Sequence, residues 1–196
     1  MGLTIHYSGR IKTPESLYSL IEEVKDISNI YGWKYRIHES KFPNDTFDEN
    51  ISYEAIYGIT FTPPESESIS LTFLSNGQIV CPSRVYFFKD SKNESEKASV
   101  FIVSTKTQYA GVIVHQLVIH LLKYLDENYL QDFKVRDESH YWETGDESLM
   151  KYQFKEYDKL LDNFVLSLQT FPMEPGESFE MYFDRLIKHL NKIKGK

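Results

Sequence analysis

Residues Asp137 to Glu147 read DESHYWETGDE, which brings five carboxylates, a histidine, a tyrosine and a tryptophan into eleven positions. Two kinds of chemistry use such a set. Glu138, His140 and Glu143 offer oxygen and imidazole ligands to a divalent metal ion that would activate water for hydrolysis, although their spacing matches no standard ligand pattern. Tyr141 and Trp142, by contrast, are favoured interface anchors, and Asp137, Glu138, His140 and Glu143 around them would steer a basic protein partner. The plainest alternative folds both aromatics onto the core and leaves the acids in water. The tail of the segment has a structural role of its own. Thr144 and Glu147 stand three apart before an apolar-periodic stretch, as in a capping box, and Asp146 and Glu147 place negative charge at a helix's positive end.

Other titratable groups are candidates too. In AGVIVHQLVIHLLKYL, helical geometry puts His120 on a polar arc with Gln116, Lys123 and Glu127, facing solvent. His115 sits at the margin of the apolar arc with Gly111, Ile119 and Leu122, where its ring must be hydrogen-bonded. A satisfied core histidine is the simpler reading; as a catalytic group, His115 would draw its partners from the strand ending at Asp137 and Glu138. In the N-terminal HYSGRIK, His6 and Arg10 would approach that strand end if the two strands pair. His38 and Glu39 occupy the comparable place after the first helix, with solvated strand ends as the simpler account. Cys81, the single cysteine, precedes Pro82 with no cationic partner in sequence, so inert packing is expected ahead of nucleophilic chemistry. No P-loop, dinucleotide fingerprint, nucleophile elbow, HExxH or CxxC occurs.

Positioning such residues takes a scaffold, and the chain carries the patterns for one. Leu3 to Tyr7 reads as a strand and Thr13-Pro14 as a helix start; Leu17, Leu20, Ile21, Val24 and Ile27 form one apolar face, and Gly32 stops the helix before a strand from Trp33 to His38. The period then changes to two. Tyr53, Ala55, Tyr57, Ile59 and Phe61 share a face up to Pro63-Pro64, Ile69 to Leu74 follows, and Asn76-Gly77 suits a type I′ hairpin turn that returns through Ile79 to Cys81. Arg84 to Phe88 and Ser99 to Ser104 read as two more strands around the polar tip KDSKNESEKA.

A second β-α-β unit opens at Lys106-Thr107, echoing Lys12-Thr13, and KVRDES after its helix echoes KYRIHES after the first. The echo raises an internal repeat, against the simpler account that strand ends resemble one another. In the last third, Met150, Phe154, Tyr157, Leu161, Phe164 and Leu168 step as a helix, as do Phe179, Phe183, Leu186, Leu190 and Ile193, with TFPMEPGE between them. Lys188, His189, Lys192, Lys194 and Lys196 suit the negative pole of the final helix. The expectation is a single α+β domain over 1–196. Residues 1–146 would carry a mostly antiparallel sheet with two β-α-β units, and residues 147–196 a helical pair packed on it.

Bulk composition narrows the function classes. A chain of 196 residues with 41% hydrophobic and 15% aromatic residues must bury a sizeable core. A net charge of −7 disfavours a phosphate-backbone surface, so nucleic acid is not an expected partner. No apolar run approaches the roughly 20 residues of a membrane span, and the N-terminus lacks the form of a signal peptide, which gives a cytoplasmic expectation. The leading expectation is a non-enzymatic binding domain with an acidic, aromatic surface for a basic protein partner, the charge and size of small bacterial immunity proteins. The alternative is a metal-dependent hydrolase using Glu138, His140 and Glu143, with His115 nearby.

Overall fold

The strand pattern at the N-terminus is realised as β1, Thr4–Ile11, whose Ile5, Tyr7 and Ile11 side chains are buried. The computed structural model describes residues 2–194; Lys196 and the side chains of Leu190, Lys192, Ile193 and Lys194 lie outside the described residues. Helix α1, Ser16–Tyr31, buries Leu17, Leu20, Ile21 and Val24 and ends where expected, at Gly32 with φ 67°. The left-handed conformation there costs glycine nothing and satisfies the last helical carbonyls.

From this point the two β-α-β successions differ. Strand β2, Lys34–Ile37, pairs antiparallel with β3, Tyr57–Thr62, which pairs antiparallel with β4, Ile69–Phe73. Strand β1 lies in another sheet, between β5, Val103–Lys106, and β6, Leu130–Asp137, and is antiparallel to both. The second succession, through α4 (Gly111–Tyr129), therefore brackets β1, whereas the first sends its strands to different sheets. This topology gives the internal echo no support. The architecture is α+β, with two three-stranded antiparallel sheets. The central strand of one sheet is tied to the other: the Tyr7 hydroxyl of β1 donates to the Ser70 carbonyl and accepts from the Ser70 amide of β4, and Ile79 N–H, just past β4, donates to the Gly9 carbonyl. Burial pushes the Tyr7 phenol's pKa up, so the hydroxyl keeps the proton it donates.

The hairpin at Asn76-Gly77 forms, with Phe73 bridging to Ile79, but not through a type I′ turn: only Gly77, at φ 80°, is left-handed, and its amide donates to the Leu74 carbonyl at 2.8 Å. Two expectations beyond it are corrected. Arg84 to Phe88 is not a strand but lies in α2, Pro82–Phe88, because Pro82 occupies the first helical turn and Val85 turns inward onto Leu74, Val80 and Val100. The polar tip is not all loop: Asn93 accepts from the Ser95 amide and starts α3, Glu94–Ser99, so the following strand begins only at Val103.

The capping box is also corrected. Asp146 Oδ1 accepts from the amides of Ser148 and Leu149 at 2.8 and 3.1 Å, so Asp146 caps the long helix α6, Glu147–Thr170, while the Thr144 hydroxyl accepts from Asp146 N–H. The short helix α5, Tyr141–Thr144, stands before it. The chain divides into two compact units, and the boundary falls inside α6, between Phe154 and Lys155. The reason is burial: Met150 and Phe154 belong to the core of residues 2–154, whereas Phe164 is exposed. In the unit beginning at Lys155, α7, Phe179–Lys194, buries Tyr182 and Leu186 rather than Phe179 and Phe183. There Arg185 grips Glu177 at 2.7 and 2.8 Å and covers the Phe171 ring at 4.2 Å, which pins the connection between the helices. Among the described residues no helix is long and apolar enough to cross a membrane.

Candidate functional site

Strand β6 ends at Asp137, and its pairing with β1 (Ile5 opposite Asp137) points that carboxylate inward, where the residue is 1% exposed. A buried carboxylate must find donors, and this one finds five. The amides of Ser139, Tyr141 and Trp142 donate at 2.9, 2.9 and 3.1 Å, and the Ser139 hydroxyl donates at 2.7 Å. His115 Nε2, from α4, lies 3.2 Å from Oδ1. Burial pushes the Asp137 pKa up, but the His115 and Ser139 hydrogen bonds and the attraction of His115 outweigh it and bring the pKa down to about 2.

His115 is fully buried, as its place on the apolar arc requires. Its Nδ1 stands 2.6 Å from Thr107 Oγ1, its Nε2 is 2.8 Å from Ser139 Oγ, and Phe154 packs edge-on against the ring. Ser139, His115 and Asp137 are the residue types of a hydrolytic triad, but not its geometry. In a triad, serine and aspartate bind opposite nitrogens of the imidazole. Here both meet Nε2, the serine proton goes to Asp137, and all three residues are shut away from solvent. The cluster is a knot that fixes the 137–145 backbone.

The remaining residues of the segment scatter around that knot. Glu138 is half-buried and turns back to β1, accepting from the Thr4 amide at 3.1 Å and meeting His6 Nε2 at 3.4 Å. His140 is exposed, with φ 62°, and its carbonyl accepts from the Thr144 amide and hydroxyl. Glu143 is exposed on α5. These three do not converge, and among the described residues no group of three His, Cys, Asp or Glu side chains could hold a metal ion. The metal alternative fails because the knot turns successive side chains in different directions.

Tyr141 is corrected as well. It is 5% exposed, and its hydroxyl accepts from Gln116 Nε2 at 2.7 Å and lies 3.1 Å from His120 Nε2. Only Trp142 remains partly in water, with Phe133 edge-on at 6.0 Å and Lys123 Nζ 5.5 Å from its ring centroid. His6 does approach Glu138, but Arg10 turns away and donates to the Asn76 carbonyl. His38 and Glu39 belong to the other sheet, where His38 Nε2 lies 3.1 Å from Thr60 Oγ1, so no symmetric site forms. Cys81 is partly exposed, with its sulfur 3.2 Å from Ser83 Oγ.

Ser139 went unremarked in sequence, and Thr107 was noted only in the pair that opens the second β-α-β unit. Their signal was positional: a serine two residues beyond a buried strand-end aspartate, and a threonine eight before a buried histidine. Among known proteins no family model matches the chain, and no curated protein or solved structure does.

Proposed function

We propose that the chain is a non-enzymatic protein-binding domain whose contact surface is centred on Trp142 and meets a basic partner. The observation that carries the reading is the Trp142 indole, left partly in water while its backbone amide is pinned to Asp137. A large ring on a fixed backbone loses little conformational freedom on binding, which is what gives an interface anchor its value. Exposed Glu143, the next residue on α5, supplies the negative rim; Glu138, committed to Thr4 and His6, and Asp146, which caps α6, contribute less. Tyr141 serves from beneath, holding α5 to α4. Asp137 and His115 set the platform. Small acidic immunity proteins, which neutralise basic toxins, would use such a surface.

A fluorescein-labelled lysine-rich peptide tests this by anisotropy. The intact chain should bind it, and Trp142→Ala should weaken binding by about 2 kcal/mol, some thirtyfold, as expected for an anchor. Glu143→Gln should weaken it several-fold and flatten its salt dependence. Both variants should melt within a few degrees of the parent. Equal binding by Trp142→Ala, or no binding by the parent, would overturn the reading.

A further inference from the structure

Along β2 and the residue just beyond it, alternation puts Lys34, Arg36 and His38 on one face. Register carries the row across the sheet: Arg36 stands opposite Thr60 and Thr60 opposite Ser70, while Lys34 stands opposite Thr62. The reverse face holds Ile59, Phe61, Ile69 and Leu71 in the core. A polar outer face is what a half-buried antiparallel sheet ordinarily shows, but this one is not open to water on all sides. Cys81 to Ser83 and Val103 to Ser104 wall it into a groove of about 550 Å³. That lies within the roughly 300 to 1,000 Å³ of small-molecule sites.

Its charge runs against that of the chain. Lys34 and Arg36 are exposed, and neither has a carboxylate within ion-pair distance among the described residues, in a chain whose net charge is −7. Two residues apart on a strand, their Cα atoms are about 7 Å apart, close enough for both head groups to reach one oxyanion. The lone acid of the groove, Glu67, already accepts from the Lys106 amide at 2.9 Å. Burial, and then the nearby Arg36 charge, pushes the His38 pKa down, so His38 offers the groove a hydrogen-bonding ring beside the Thr60 hydroxyl rather than a third cation.

We propose that this groove binds a small molecule through a phosphate or carboxylate group seated between Lys34 and Arg36, with the hydroxyls of Thr60 and Thr62 as further donors. The site stands apart from Trp142 and does not depend on the protein-binding reading.

Cys81 lines the groove and is the only thiol in the chain, so its alkylation reports on the site alone. The rate with anionic iodoacetate, divided by the rate with neutral iodoacetamide, measures the local field. Relative to free cysteine, that ratio should be raised roughly three- to tenfold in the intact protein and fall back in Lys34→Gln/Arg36→Gln. Glycerol phosphate or succinate, against sodium chloride at matched ionic strength, should slow alkylation and raise the melting temperature of the parent but not of the variant. Protection by glycerol phosphate alone assigns a phosphorylated ligand, and protection by succinate alone a carboxylate. An unraised ratio together with no protection and no melting shift from either compound overturns the proposal.

Discussion

At Asp137 a carboxylate withdrawn from water is matched by three backbone amides, a hydroxyl and a histidine, whereas at Lys34 and Arg36 two cations face an open groove and, among the described residues, no carboxylate lies within ion-pair distance of either. The first arrangement spends its hydrogen-bonding capacity inside the protein and leaves nothing for a ligand. The second leaves that capacity unused. Charged residues in a fold thus divide by whether their partners are already present, and only the unmatched set is available for recognition. By that criterion DESHYWETGDE, the most chemically suggestive stretch of the sequence, is mainly an internal fastening, and the plain KYRIH is the more open surface.

The sharpest way to break this contrast is to remove one member of each set. Asp137→Ala strands His115 and three amides in the interior and should cost roughly 3 to 5 kcal/mol in denaturant unfolding. Arg36→Gln should change stability by no more than about 0.5 kcal/mol, as for other exposed substitutions. Similar costs would erase the distinction. Acid titration sharpens it next. The Asp137 pKa is lowered from 3.8 to about 2 in the folded chain. Its contribution is therefore complete above pH 4 and is lost as the pH falls through 2, which amounts to about 2 kcal/mol at ~1.4 kcal/mol per pKa unit. Unfolding midpoints measured between pH 5 and 2 should fall along this limb, and Asp137→Asn should flatten it. Within the knot the smallest effect belongs to its edge: Tyr141→Phe removes the oxygen that accepts from Gln116 and should cost about 1 kcal/mol.

How much of this could be read from the chain depended on whether the signal was local. Helix α1 with its Gly32 stop and the buried face of His115 are set by neighbours a few residues away and stand as read, whereas the Asn76-Gly77 hairpin forms without the type I′ turn, since only Gly77 of the pair has a positive φ. The stretch from Arg84 to Phe88 misled because three consecutive aromatics look like strand, while Pro82 and the inward turn of Val85 decide for helix. The exposure assigned to Tyr141 failed for a longer-range reason: Gln116 and His120 come from a helix 21 to 25 residues earlier. The groove was least legible of all. The alternation of Lys34, Arg36 and His38 is visible in sequence, but the hydroxyls that complete the row reach it only through the register of three strands.

That dependence on distant partners has a further consequence for the order of events on the ribosome. Strand β1 ends at residue 11, yet it pairs with residues 103–106 and 130–137. At typical translation speeds the interval before its second partner is synthesised is on the order of ten seconds. Until residues 103–106 have been made Ile5, Tyr7 and Ile11 have neither strand partner, and until residues 130–137 follow β1 can be paired on one side only.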